Sequence, residues 1–298
     1  MNICLFISCY NASNTIVETL VAIEKNIFLY DKKIKVIAVD DCSKDNTYQI
    51  LSNFKPSLFE IEIYRNEFNL GERATINKYF RDLELKYNWI LLIHADDIPK
   101  ENWILKLTEV ISKVDQSNVF TVWSSYDNLV HETKQIFEGD KLGVINYNKR
   151  TFADATNYIT KMSASYHVSG AAINLKLYFK IGGFNSDLPQ YGDTVFFAEG
   201  ILKGYNDVYI QDTLTYYRII KSSVSFVSNN SNRDIKEMYY IYEKYFNILN
   251  TSQREIILKR ARIILIKRII KNLIQFNLKS IGLLFFLLFK SFSFKNIK

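Results

Sequence analysis

The sequence predicts an α/β protein: a mostly parallel, doubly wound sheet with helices on both faces, then a helical C-terminal extension. Three observations carry that expectation. Apolar runs of strand length alternate with helical spacing over roughly the first 120 residues, as in βαβ units. The first run, Ile3–Cys9, is apolar without alternation, as expected of a strand covered on both faces. From Lys236 onward the pattern is helical to near the end.

In order, Ile16, Leu20, Ile23 and Ile27 recur at helical spacing, so residues 15–28 predict the first helix, capped by Ser13 or Asn14. Residues 35–39 read as the second strand, 45–54 as a short helix, 59–64 as an alternating strand and 72–87 as a helix. A strand at 89–94, a helix at 101–114 and a strand at 119–123 follow. The polar and aromatic stretch 124–161 gives no assignment. Strand signal returns at 168–173, then a turn at Ile181-Gly182-Gly183-Phe184, a helix at 193–203 and a strand-like stretch at 207–219.

Hydrophobic residues make up 48 % of the 298 and charged residues 23 %, which excludes a disordered chain. Cys4, Cys9 and Cys42 are too few and too scattered for a disulfide framework or a zinc site. Cys4 and Cys9 fall in the first strand, where free thiols pack as small hydrophobes. The N-terminus has no basic n-region and is not expected to be a signal peptide, so a reducing, cytoplasmic setting is expected. The net charge of +7 is uneven: residues 254–298 hold eleven Lys/Arg against one acid, and the rest is slightly acidic.

Two pairs of adjacent acids end predicted strands: Asp40-Asp41 and Asp96-Asp97. One such pair reads equally well as helix capping. Two pairs facing one crevice at the carboxyl edge of a parallel sheet point instead to a hard divalent ion and substrate phosphates between like charges. No glycine-rich phosphate loop follows the first strand, which ends in Ser8-Cys9-Tyr10-Asn11.

An ordered set of motifs resembles family 2 glycosyltransferases of the GT-A fold. It comprises Phe6-Ile7-Ser8-Cys9-Tyr10-Asn11-Ala12, Val39-Asp40-Asp41-Cys42-Ser43-Lys44-Asp45-Asn46-Thr47, Asn69-Leu70-Gly71 and Leu92-Ile93-His94-Ala95-Asp96-Asp97. Ile181-Gly182-Gly183-Phe184 with Asp193, and then Tyr216-Tyr217-Arg218, complete it. The resemblance implies a GT-A catalytic domain over 1–220 and a helical, basic extension over 221–298. It implies a nucleotide-sugar donor, UDP-linked, and inverting transfer to a glycan, lipid-linked in bacterial surface-polysaccharide assembly.

By position, the resemblance sets Tyr10 and Asn11 beside the base and Asp40 or Asp41 bonded to it. Asn69, Gly71 and Arg73 fall near ribose and diphosphate, Asp96 near the ribose, and Asp97 on Mn²⁺ or Mg²⁺. His94 stands where relatives often carry Asp. It is either the last strand residue or a neutral group tuning metal or diphosphate. The general base falls on Asp193, where Gly192 replaces the family's preceding Glu; a helix cap is the alternative for Asp193, and Glu199 is a poorer candidate for the base. Arg218 or Lys221 is either a diphosphate contact or a solvated cation. His167 lies near the acceptor or in the core, and His131 carries no signal.

In residues 263–274 Lys267, Arg268 and Lys271 fall on one side, and Ile263, Ile266, Ile269, Ile270 and Leu273 on the other. A basic amphipathic helix of this kind suits an anionic membrane surface, here the inner face of the cell membrane, or else packs on the domain or a second copy. The apolar run 281–289 is too short to span a bilayer. No stacking set accompanies the charges, so nucleic acid is not expected. A nucleotidyltransferase would need a glycine-rich basic loop that is absent; a catalytically silent nucleotide-sugar-binding or scaffolding protein is the remaining alternative.

Overall fold

The computed structural model describes residues 2–138, 150–162, 167–220, 232–274 and 281–293. The first half follows the expected alternation: β1 (Ile3–Cys9), α1 (Ile16–Tyr30), β2 (Lys35–Asp40), α2 (Thr47–Asn53), β3 (Glu60–Arg65), α3 (Glu72–Leu83) and β4 (Trp89–His94). After a two-residue strand, β5 (Ile98–Pro99), come α4 (Trp103–Lys113) and β6 (Val119–Val130). Then follow β7 (Ile136–Phe137), α5 (Phe152–Lys161), β8 (Ala172–Asn174), α6 (Leu175–Ile181), α7 (Gly192–Leu202) and β9 (Asn206–Ile219). Three further helices, α8 (Arg233–Lys244), α9 (Thr251–Ile274) and α10 (Ile281–Ser293), close the described chain.

The strands form one sheet in the order β3-β2-β1-β4-β8-β6-β9-β5, with β7 on β6. β1 to β4 pair in parallel, whereas β8 runs antiparallel to both β4 and β6. Side chains of the apolar β1 run divide by pleat. Leu5, Ile7 and Cys9 enter a core with α1 and α4, while Cys4 and Phe6 enter another with α3, α6 and α7. That division is the physical content of helices on both faces.

Three departures from the sequence expectation have local causes. The α1 cap is Thr15, with no side-chain cap bond, because Ala12 O takes the Thr15 and Ile16 N–H groups at 2.9 Å each in a turn ahead of the helix, while Asp45 Oδ2 holds the Ser13 N–H. The strand expected at 168–173 shrinks to Ala172–Asn174, since Gly170 bends the chain with φ +90° and its N–H bonds Leu92 O. Of the unassigned stretch, β6 runs on to Val130 through two register shifts, and Thr151 and Asp154 form a reciprocal capping box for α5.

The C-terminal helices are not a loose appendage. Ile235, Met238, Ile257, Leu258, Ala261 and Leu265 share a core with Ile159 of α5 and Val195 and Ala198 of α7. Arg268, expected on an exposed basic face, is ion-paired with Asp234 at 2.7 Å, and Ile269 is buried. Ile263, Ile266, Ile270 and Leu273 remain exposed, as do Leu283, Phe285, Phe286, Phe289 and Phe292 of α10. Among the described residues no helix is long and apolar enough to cross a membrane.

Candidate active site

From β1 the chain moves outward to β2 and β3, then returns to the other side of β1 with β4, so the strand order reverses there. Beyond the carboxyl ends of strands, such a point opens a crevice. A cavity of about 700 Å³ fills it, lined among others by Tyr10, Asp41, His94, Asp96, His167 and Asp193.

Hydrogen bonds fix one of its walls. Asn11 N–H donates to Ser43 Oγ at 2.9 Å, Ala12 N–H to Thr47 Oγ1 at 2.7 Å, and Lys44 N–H to Asn11 Oδ1 at 2.9 Å. The Ser, Asp and Thr after the first acid pair therefore latch the loop after β1 to the loop after β2. The two acids diverge. Asp40 is fully buried, ion-pairs with Arg65 Nε at 3.1 Å, accepts the Ser43 N–H, and is not among the lining residues. Asp41 lines the cavity and accepts from Asn66 Nδ2 at 2.8 Å, Leu70 N at 2.9 Å and Gly71 N at 2.8 Å. Asn69 adds Nδ2 to Asp41 O, so the Asn-Leu-Gly loop hangs on Asp41.

At the end of β4 the charges alternate. His94 Nε2 lies 2.6 Å from Glu72 Oε1, an ion-pair contact too bent for a good hydrogen bond. Burial opposes a charged His94, but Glu72 above all outweighs it and pushes the imidazole up to about 9. Burial likewise opposes the Glu72 carboxylate, and His94 and Arg73 hold it well below the usual range. Asp97 Oδ2 is 4.0 Å from His94 Nδ1 and 3.8 Å from His167 Nδ1, while Oδ1 accepts Arg218 N–H at 2.9 Å. Burial pushes both Asp96 and Asp97 up, and for Asp97 the neighbouring Asp96 adds to it. Burial, then the His94 charge, pushes His167 down to about 3. Two carboxyls that resist ionising together, with donor atoms of His94, Asp97 and His167 all within 4.8 Å, fit a divalent cation.

Across the cavity Asp193 sits in the first turn of α7. Its Oδ1 accepts Thr194 N–H at 2.9 Å and its Oδ2 faces Arg73 Nη2 at 3.8 Å. Arg73 is buried over the Phe184 ring, with Nε and Nη1 lacking hydrogen-bond partners. A Cβ at Gly192 would stand 3.2 Å from Asn185 O and 3.4 Å from Arg73 Nε, so Arg73 crowds the place of the missing acid. Glu237 of α8 accepts the Gln190 and Tyr191 N–H groups at 3.0 Å each and holds the entry to α7. Glu199 instead binds Lys244 at 2.8 Å and Tyr245 OH at 2.6 Å, away from the lining residues.

Arg218 is neither solvated nor among the lining residues. Its guanidinium is fully buried, reaching Glu18 Oε2 and Asp96 O at 2.7 Å each, and so braces the acid pair. Lys221 lies outside the described residues. Glu72, His131, Gln190, Tyr191 and Arg233 line the cavity without a motif to announce them. For Glu72 the available signal was an acid one residue past the Asn-Leu-Gly motif.

The chain belongs to glycosyl transferase family 2, whose family model matches residues 4–180. It is 25 % identical over 203 residues to an uncharacterized glycosyltransferase of Mycoplasma pneumoniae, a match covering 67 % of this chain and 61 % of the relative. To an uncharacterized glycosyltransferase of Haemophilus influenzae it is 25 % identical over 238 residues, 77 % of this chain and 69 % of that one. The chain thus spans under two thirds of the length of the Mycoplasma relative. Its fold is that of TarS from S. aureus in complex with UDP, with a TM-score of 0.61, 16 % identity and coverage of 87 % and 70 %. A Pyrobaculum calidifontis mannosyltransferase in complex with GDP-Man and Mn²⁺ superposes with a TM-score of 0.57, 16 % identity and coverage of 99 % and 87 %. These likenesses establish the GT-A fold expected from the motifs.

Proposed function

We propose that the protein transfers a sugar from a nucleoside-diphosphate sugar, UDP-linked, to a hydroxyl of a glycan acceptor with inversion. The observation that carries this reading is one cavity bringing together Asp41, Asp96 and Asp193 from three separate segments. TarS complexes with UDP and UDP-GlcNAc, and the mannosyltransferase complex with GDP-Man and Mn²⁺, support a donor of this class.

Tyr10, 45 % exposed at the cavity wall, offers a ring face to the base, and Asp41 is the acid of its pair with access to it. Asn69, Gly71 and Asp96 border the ribose and diphosphate. Asp97 and its neighbours would hold Mn²⁺ or Mg²⁺, whose charge offsets that growing on the leaving diphosphate. Asp193 takes the proton of the acceptor hydroxyl as that oxygen attacks the anomeric carbon; the bond to diphosphate breaks on the opposite face. Arg73 Nε and Nη1 and Gln190 Oε1, buried without hydrogen-bond partners at or near the cavity, suit sugar hydroxyls.

The exposed aromatic face of α10 and the basic tail suit an anionic membrane surface and a lipid-linked acceptor, as in surface-polysaccharide assembly at the inner face of the cell membrane. A donor screen reading released nucleoside diphosphate, with and without divalent metal, tests the activity. Asp193→Asn is expected to keep UDP affinity and to lose transfer by at least about a hundredfold. Transfer at near wild-type rate would place the base elsewhere.

A further inference from the structure

Two imidazole rings crowd the acid just beyond the end of β4. His94 Nδ1, Asp97 Oδ2 and His167 Nδ1 all lie within 4.8 Å of one another, with 4.0 Å and 3.8 Å from the two rings to the carboxylate. Ligand atoms sharing one ion at about 2.1 Å stand roughly 3–4 Å apart, so only a small closure is needed. Two further observations point the same way. Behind His94, Glu72 Oε1 stands 2.6 Å from Nε2, the arrangement by which a carboxylate orients a metal-binding imidazole from outside. Ser169 N–H donates to His167 Nδ1 at 3.3 Å, so that nitrogen is unprotonated, and a cation would take over the lone pair this long bond uses. Asp97 is steadied from its other side by Arg218 N–H at 2.9 Å.

We propose that His94 Nδ1 and His167 Nδ1 join Asp97 as ligands of the divalent cation, with Glu72 as the outer partner of His94, so that the site favours Co²⁺ and Mn²⁺ over Mg²⁺. The ligand set stands on this geometry; only the ion's role in transfer rests on the donor reading above. Nitrogen donors favour the later divalent ions, whereas Mg²⁺ dehydrates reluctantly and prefers oxygen ligands. The His at position 94, a departure from the acid common in relatives, thereby becomes a change of metal preference.

The test uses the full chain loaded with Mn²⁺, with and without UDP, and reads nitrogen couplings by pulsed electron paramagnetic resonance. Two imidazole couplings are expected in the wild type and one in His167→Ala. Calorimetry is expected to show Co²⁺ affinity falling by about 10–100-fold in Glu72→Gln, with both couplings kept. If Mn²⁺ does not bind, or binds without nitrogen coupling while UDP still binds, the imidazole ligands are refuted and the donor reading stands. If the couplings appear but UDP binds with no cation tried, the donor reading falls and the metal site remains. The wild-type spectrum decides even where a variant fails to fold.

Discussion

Gly170 is where a single methyl group most directly tests the architecture behind the site. Its φ is +90°, and a Cβ there would lie 2.5 Å from Thr215 Cγ2 and 3.1 Å from Thr215 Oγ1. Retreat is blocked on both sides: Gly170 N–H bonds Leu92 O at 2.7 Å, and Gly170 O accepts from Trp103 Nε1 at 2.8 Å. Thr215 is buried in β9 and β-branched, so it has little freedom to turn away. For Gly170→Ala the backbone contributes about 1–2 kcal/mol of destabilisation. Overpacking adds about 1–3 kcal/mol, for a total of about 2–5 kcal/mol. Thr215→Ser deletes the 2.5 Å contact and keeps the hydroxyl. The double variant is therefore expected to recover the packing part, a coupling of about 1–3 kcal/mol. Urea unfolding of the four proteins measures it. A Gly170→Ala protein as stable as the wild type, or a coupling within about 0.3 kcal/mol of zero, would refute the reasoning. Because Ser169 Oγ accepts the His94 N–H at 2.9 Å, UDP and metal affinity should weaken in the single variant and return in the double.

Glu237 gives a pH test. Burial pushes its carboxyl up to about 7. The folded state thus holds the proton more tightly than the unfolded one, and the associated stability is full below about 4.5 and lost as pH rises through 7. Glu237→Gln should gain stability relative to the wild type between pH 5 and 8 in thermal melts; a flat difference would mean the carboxyl titrates normally. For the tail, Phe286→Ser with Phe289→Ser should cost about 3 kcal/mol of apolar burial, roughly a hundredfold in partitioning to anionic vesicles. Flotation unchanged by the pair of substitutions would show that this face does not meet the membrane.

Much of the first half was legible because buried parallel strands write themselves as apolar runs: Ile3–Cys9 and Trp89–His94 need no partner to be recognised. The second half reads poorly for equally physical reasons. β8 is three residues long and draws its identity from β4 and β6 on either side, not from its own pattern. The position of the Asp pairs at strand ends was readable, but not that Asp41 and Asp96 would line the cavity while Asp40 turns away from it. Glu72 had no motif and His167 stood open between acceptor and core, since each meets its partner, His94 or Asp97, only through tertiary folding. Arg218 shows the limit from the other side. A cation beside a motif suggests a phosphate contact, and its burial against Glu18 is invisible until β9 is laid beside α1.

The joint between α7 and the last helices bears on how such proteins can be recombined. Tyr245 reaches back to Glu199, Glu237 holds the entry to α7, and one core runs from Ile159 through Val195 to Leu265. A foreign C-terminal segment grafted at the end of β9 would meet α5 and α7 surfaces shaped for another partner. It would also leave the Gln190 and Tyr191 amides without their acceptor. Exchange between relatives should therefore succeed only when α5, α7 and the terminal helices travel together, so this side of the cavity and the tail are inherited as one cassette.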